Sequence, residues 1–302
     1  MEIVNTYNLV KKYGETYALD GLNLSINKGE LFGLIGADGA GKTTVFRILT
    51  SLILPDSGDA KILNLDIKED YKEIRKNIGY MPGKFSLYLD LSVYENLKFF
   101  ASVFGISIEE NMDIIYPIYK HLEKFKDRKA GKLSGGMKQK LALSCALIHK
   151  PKILFLDEPT TGVDPVSRKE FWEMLKMLKS QGITIIVSTP YMDEANMCDR
   201  IALMRKGKLM SINSPKNIIK DFDEVLYEIK SDNMYQLLND IREFKKTKRA
   251  YTFGVSHHLI LEKDSKDEIL EYLKTKNHKN IFINRVEPNI EDCYLQIESL
   301  YE

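Results

Sequence analysis

Gly36-Ala37-Asp38-Gly39-Ala40-Gly41-Lys42-Thr43 fits GxxxxGK[ST], the spacing of a loop that holds phosphate groups. Its glycines let backbone N–H groups converge on an anion at the start of the next helix, whose dipole favours negative charge. Lys42 adds a mobile point charge for the outer phosphates, and the Thr43 hydroxyl is a candidate ligand for Mg2+. Such a metal also needs a carboxylate. Ile153-Leu154-Phe155-Leu156-Asp157-Glu158 ends an apolar run with two, Asp157 as the expected magnesium partner and Glu158 one residue closer to the γ-phosphate. There Glu158 could orient and deprotonate an attacking water. Asp38 places an extra negative charge beside the phosphates, with its effect on affinity left open.

A second anion site is readable in Leu133-Ser134-Gly135-Gly136-Met137-Lys138-Gln139, where Ser134, Gly135 and Gly136 open a helix expected over 137–148. These segments need a scaffold, and the pattern supplies an α/β one. Short apolar runs (31–35, 152–156, 183–187) alternate with helical stretches, including one expected over 44–52 that begins at Thr44, as in a largely parallel sheet. Ligands bind at the strand ends of such sheets. Residues 3–9 and 22–26 alternate apolar and polar side chains, which predicts antiparallel strands at one edge. From about 87 to 148 the reading is a helical lobe, with Tyr94, Leu97, Phe100, Ala101 and Phe104 at helical spacing.

Near Asp221 the pattern changes. The expected boundary divides a nucleotide-binding domain, 1–220, from a small α+β accessory domain, 221–302. In the latter we read a strand (224–229), a helix (234–244), two strands (251–261), a helix (266–273), a strand (281–286) and a last helix from Ile290. The basic run Lys245-Lys246-Thr247-Lys248-Arg249 is expected to be a solvated loop.

The 302 residues carry 44 Lys and Arg against 43 Asp and Glu, a net charge of +1, so no bulk field attracts nucleic acid and none is expected as a partner. Hydrophobic residues at 44% and charged residues at 29% describe an ordinary globular chain. No stretch reaches the roughly 18 apolar residues of a membrane span, and the first residues lack the features of a signal peptide. The three cysteines, Cys145, Cys198 and Cys293, are widely spaced with no CxxC, which fits a reducing compartment, core positions and no structural zinc.

Phosphate loop, carboxylate pair and Leu133-Ser134-Gly135-Gly136 together resemble the ATP-binding cassette (ABC) family over about residues 2–215, with Thr161-Gly162-Val163-Asp164 matching the loop after its catalytic glutamate. The resemblance implies a cassette that binds ATP and Mg2+, and head-to-tail pairing with a second cassette, identical or different, so that Ser134 of one copy completes the site at Lys42 of the other. It also implies that Tyr13 is the aromatic platform for adenine, a partly buried strand aromatic being the other reading. Residues 90–97 and 164–172 look most like multidrug-type exporters. A separate transmembrane permease is then the expected partner, with this chain peripheral on the cytoplasmic face of the membrane.

Two positions depart from the family pattern. Its glutamine after the strand 78–81 is replaced in Met81-Pro82-Gly83-Lys84 by Gly83, and its switch histidine in Ser188-Thr189-Pro190 by Pro190, which has no N–H. Losing both γ-phosphate contacts predicts binding that survives better than hydrolysis, unless Thr189, Lys84 or water substitutes. A hydrolysis-impaired regulatory cassette paired with a different ATPase is therefore the alternative. A soluble ABC protein acting on ribosomes or DNA fits less well, because the chain holds one cassette and no long basic insert.

Overall fold

A computed structural model describes residues 1–262 and 265–299. The chain divides into two compact units, residues 1–215 and 216–299. In the first unit, β1 (Glu2–Tyr13) and β2 (Thr16–Asn27) form a long hairpin, followed by β3 (Leu31–Ile35), α1 (Lys42–Leu49), β4 (Ser57–Ile62), β5 (Leu65–Asp66), α2 (Tyr71–Asn77) and β6 (Ile78–Met81). A helical segment holds α3 (Val93–Val103), α4 (Met112–Tyr119) and α5 (Gly135–Leu147). Then come β7 (Ile153–Asp157), α6 (Pro165–Ser180), β8 (Thr184–Thr189), β9 (Arg200–Arg205) and β10 (Lys208–Asn213).

The central sheet has the order β10-β9-β3-β8-β7-β6 and is parallel except for β10. β3, β7 and β8 are buried at every position, which is why they read as unbroken apolar runs rather than as alternation. A second, antiparallel sheet, β2-β1-β4-β5, carries the hairpin. Its strands run well past the predicted 3–9 and 22–26, because register shifts along the β1–β2 ladder interrupt the two-residue period on which the expectation rested. The buried faces of both sheets close on α1, where Phe46 meets Phe155 edge-on at 5.6 Å.

Ser92 caps α3 in a reciprocal capping box with Glu95, and Ser134 caps α5. The buried stripe of α3 is Val93, Asn96, Leu97 and Ala101, whereas Tyr94, expected on that stripe, is exposed. Asn96 takes the inner position because its fully buried amide holds the backbone of the preceding turn, accepting from Tyr88 N and donating to Tyr88 O and Ser92 O.

The second unit runs α7 (Pro215–Lys220), β11 (Leu226–Lys230), α8 (Met234–Glu243), β12 (Thr247–Phe253), β13 (Ser256–Leu261), α9 (Lys266–Thr275), β14 (Phe282–Arg285) and α10 (Ile290–Ser299). Its antiparallel sheet, ordered β12-β13-β11-β14, makes β11 to β14 a split βαβ, βαββαβ arrangement. Leu259 and Leu261 pack with Leu237, Ile241, Ile269 and Leu273 of α8 and α9. Alternation puts His258 on the other face, where its Nδ1 and the Tyr251 hydroxyl both meet Asp292 of α10 at 2.6 Å. The basic run is not a loop throughout: Thr247 pairs with Leu261 and Arg249 with Ile260, and the Arg249 guanidinium is taken up by Glu224 and the Leu295 carbonyl. Long cationic stems tolerate a sheet when their heads find such partners. All three cysteines are buried and free, and burial pushes the Cys293 thiol up to about 12.

Candidate active site

β3, β8 and β7 are successive parallel neighbours, so the loops after all three leave from one edge of the sheet. The loop after β3 is residues 36–41. Gly41 has φ +105, and a Cβ there would stand 2.4 Å from the Ala18 carbonyl, so only glycine lets the hairpin approach this closely. A Cβ on Gly36 would meet the Met204 carbonyl at 2.5 Å. Lys42 is buried, and its Nζ lies 2.7 Å from Gly36 O, 3.1 Å from Ala37 O and 3.2 Å from Glu158 Oε1. Two segments remote in sequence thus meet at one ammonium.

This meeting point borders a cleft of about 520 Å3, lined by residues 38–44, Glu158 and the hairpin residues Tyr13, Thr16, Tyr17 and Ala18. Tyr13 is half exposed on that wall. Tyr17, which the sequence reading passed over, shares it, with Lys12 Nζ 4.1 Å from its ring centroid. Its signal was an aromatic three residues past Gly14, legible only once the two strands are known to close tightly between Tyr13 and Thr16.

Asp157 and Ser188 are register partners on β7 and β8. Ser188 Oγ donates to Asp157 Oδ1 at 2.5 Å and accepts from Glu158 N at 3.0 Å, and the Ser188 carbonyl also accepts from Glu158 N at 3.1 Å. Glu158 needs this hold, because its φ of +48 is a left-handed conformation that costs a non-glycine residue about 1–2 kcal/mol. Burial and the Asp157 charge push the neighbouring Tyr80 hydroxyl up to about 12.

Among the described residues no three His, Cys, Asp or Glu side chains converge as a metal site. The donors that fit Mg2+ are the Thr43 hydroxyl and the Asp157 carboxylate, both hard oxygens, with phosphate and water able to complete the shell. Gly83 faces the same carboxylate. A Cβ there would stand 3.7 Å from Asp157 Oδ2 and 3.2 Å from Asp157 O, so the position expected to carry a glutamine adjoins Asp157 without reaching it.

Ser134, Gly135 and Gly136 do not line the cleft that holds Lys42. Ser134 and Gly135 are exposed, Ser134 Oγ accepts from Met137 N at 3.4 Å, and Gly136 packs so closely on α6 that a Cβ would fall 2.6 Å from Ser167 Oγ. Ser134 and Gly135 thus lie on the surface at the N-cap of α5. No histidine lines the cleft among the described residues. His149 stacks on Phe104 at 3.7 Å and bonds the Ile78 carbonyl at 2.9 Å instead.

No helix among the described residues is long and apolar enough to cross a membrane. The model of the ABC transporter family matches residues 19–161. The chain is 42% identical over 218 residues to the probable multidrug ABC transporter ATP-binding protein YbhF of Escherichia coli, covering 72% of this chain and 38% of that protein. It therefore spans well under half of that relative's length. It is 33% identical over 291 residues to the Nod factor export ATP-binding protein I of Burkholderia pseudomallei, covering 95% and 94%. The dimeric ATP-binding cassette MJ0796 bound to ADP and Pi, in a post-hydrolysis state, superposes with a TM-score of 0.64 at 29% identity, over 70% of this chain and 98% of that one. With the phosphate loop, the paired carboxylates and this cassette fold in one chain, the protein belongs to the ABC transporter family as an ATP-binding cassette.

Proposed function

We propose that this chain is the ATPase subunit of an exporter, in which ATP-driven pairing of two cassettes drives a separate transmembrane permease. The observation that carries the reading is the meeting of Lys42 and Glu158 at 3.2 Å on the wall of the cleft formed by residues 38–44. In this reading residues 36–44 cradle the phosphates, Tyr13 stacks on adenine, Thr43 and Asp157 hold Mg2+, and Glu158 activates water. Bound Mg2+ would neutralise charge on the phosphate oxygens. An incoming phosphate draws the Lys42 ammonium off Glu158, which frees that carboxylate to accept a proton from water. Ser134, Gly135 and Gly136 act on the partner cassette's nucleotide, and the exposure of Ser134 and Gly135 away from the cleft supports pairing.

The relatives' names, a probable multidrug ABC transporter ATP-binding protein and a Nod factor export ATP-binding protein, support export as the direction. The permease would dock in an apolar groove of about 240 Å3 bordered by Tyr80, Met81, Phe85, Leu87, Phe100 and Phe104, holding the chain at the inner face of the membrane. In this reading the cassette spans 1–220 and an accessory domain 221–302, a boundary five residues beyond the end of the first compact unit at 215.

The test is ATP turnover against protein concentration, with nucleotide binding measured in parallel and Lys42→Ala and Glu158→Gln as controls. A cooperative rise that disappears in Glu158→Gln supports a self-sufficient pair. No binding of ATP overturns the reading. Gly83 beside Asp157, together with Pro190, favours a second one, in which this site binds but barely hydrolyses and the chain completes a different cassette. Gly83→Gln with Pro190→His separates the two: a steep gain in turnover favours the impaired site, and no change favours a competent one.

A further inference from the structure

Glu194, in the short 3-10 helix Met192–Met197, is a carboxylate only 2% exposed. Thr160 Oγ1 donates to its Oε1 at 2.7 Å and Thr189 Oγ1 to its Oε2 at 2.6 Å, and both threonines are themselves buried. Arg168 of α6 brings its Nε within 3.6 Å of Glu194 Oε1, lies 3.8 Å from Asp193 and sits 4.3 Å from the Tyr191 ring. A carboxylate removed from water requires such donors, and what distinguishes these is where they come from.

Thr160 lies two residues past Glu158, in the turn closed by Thr161 N donating to Glu158 O at 3.2 Å. Thr189 ends β8, one residue past the Ser188 that holds the Glu158 amide, and its hydroxyl also accepts from Tyr191 N at 3.0 Å, enclosing Pro190. Glu194 therefore hydrogen-bonds both of these threonines, the one such side chain among the described residues. Glu158, at positive φ, lies two residues before Thr160, and its amide is held by Ser188, the neighbour of Thr189.

We propose that Glu194 is a positioning residue for Glu158, tying the turn after β7 to the turn after β8 so that the Glu158 carboxylate stays directed at the Lys42 ammonium. Glu194 does not line the phosphate cleft, and the proposal rests on the reading of Glu158 as the water-activating group. Where the switch histidine of the family is replaced by Pro190, this carboxylate is what restrains the segment after β8.

The experiment uses the full chain with Thr160→Val and Thr189→Val, near-isosteric changes that each remove one arm, and Glu194→Ala, which removes both. Amide exchange across residues 157–163 and 188–192, ATP affinity, and turnover are measured in the natural and Gly83→Gln backgrounds. Either valine variant should raise exchange in both segments and lower kcat about tenfold or more, with ATP affinity changed less than about twofold. Exchange confined to the mutated segment overturns the proposal, as does an unchanged kcat in a background that turns over. Parallel losses of affinity, kcat and thermal stability also overturn it, since they mark a merely structural contact. If wild-type protein fails to bind ATP, the functional reading falls separately, and spread of exchange across both segments alone decides whether Glu194 couples them.

Discussion

Replacing Ser188 with alanine tests how the carboxylate edge is held together. Its hydroxyl makes two contacts, donating to Asp157 at 2.5 Å and accepting from Glu158 N at 3.0 Å, and Ser188 is fully buried. The second contact is redundant, because the Ser188 carbonyl accepts from the same amide at 3.1 Å and survives the substitution. The first is not redundant: Asp157 is 3% exposed, and a hydrogen bond to a charged group contributes about 1.5–3 kcal/mol. The hydroxyl leaves only a small void, so the Asp157 contact dominates the expected loss of about 1.5–3 kcal/mol. For a unit of roughly 215 residues that lowers the midpoint of thermal unfolding by about 3–12 °C. Asp157→Ala supplies the double-mutant cycle, and in that background Ser188→Ala should cost less than about 0.5 kcal/mol. Equal losses with and without Asp157 would show that packing, not the charge-assisted bond, decides the effect.

Asp38 lines the phosphate cleft and is exposed, so Asp38→Asn should tighten ATP binding about two- to fivefold at low salt, with the gain shrinking as ionic strength rises. A gain independent of salt, read by titration, would count against a Coulombic origin. In the accessory unit, burial would raise the pKa of Asp292, but hydrogen bonds from His258, Tyr251 and the Asn289 amide outweigh it and hold the carboxyl below the ordinary 3.8. Because the folded value is the lower one, this carboxylate stabilises the unit above the unfolded pKa, and its contribution is lost as pH falls through the folded one. Urea unfolding from about pH 6 downward should show a loss of stability below about pH 4 that Asp292→Asn flattens, whereas an identical slope in the variant would contradict the assignment.

The contacts that chemistry demands at short range were legible in the sequence. Residues 36–43 and the Asp157-Glu158 pair are contiguous motifs, and their strand-to-loop setting shows in unbroken apolar runs. What escaped the sequence is what register and packing create. Ser188 stands beside Asp157 because β7 and β8 pair at that residue, a parallel neighbourhood 31 positions apart that no local spacing announces. Tyr17 joins the cleft because the β1–β2 hairpin closes tightly, and Tyr94 faces solvent because Asn96, a polar residue, claims the buried turn. The last three positions of the basic run became strand because Glu224 and α10 supply partners for its cations, which charge alone does not reveal.

Gly83 and Pro190 were legible as departures, yet their consequence depends on geometry the sequence hides. At 83 the deficit is reach: the backbone already stands beside Asp157, and only a side chain is missing. At 190 the loss of a donor is accompanied by restraint, since Thr189, Tyr191 and Glu194 close the turn by hydroxyl bonds rather than through position 190 itself. On the reading in which positions 83 and 190 no longer contact the γ-phosphate, directed chemistry requires that Glu158 be fixed independently. In our proposal that hold comes from Ser188, which bonds the Glu158 amide, and from the Thr160–Glu194 bond two residues further on. On this argument the two substitutions should not act alike: restoring Gln at 83 should raise turnover more than restoring His at 190, because the first adds a missing group and the second disturbs a turn already held. The opposite order in single-variant turnover assays would show that contact with the γ-phosphate, not the geometry of Glu158, limits the reaction.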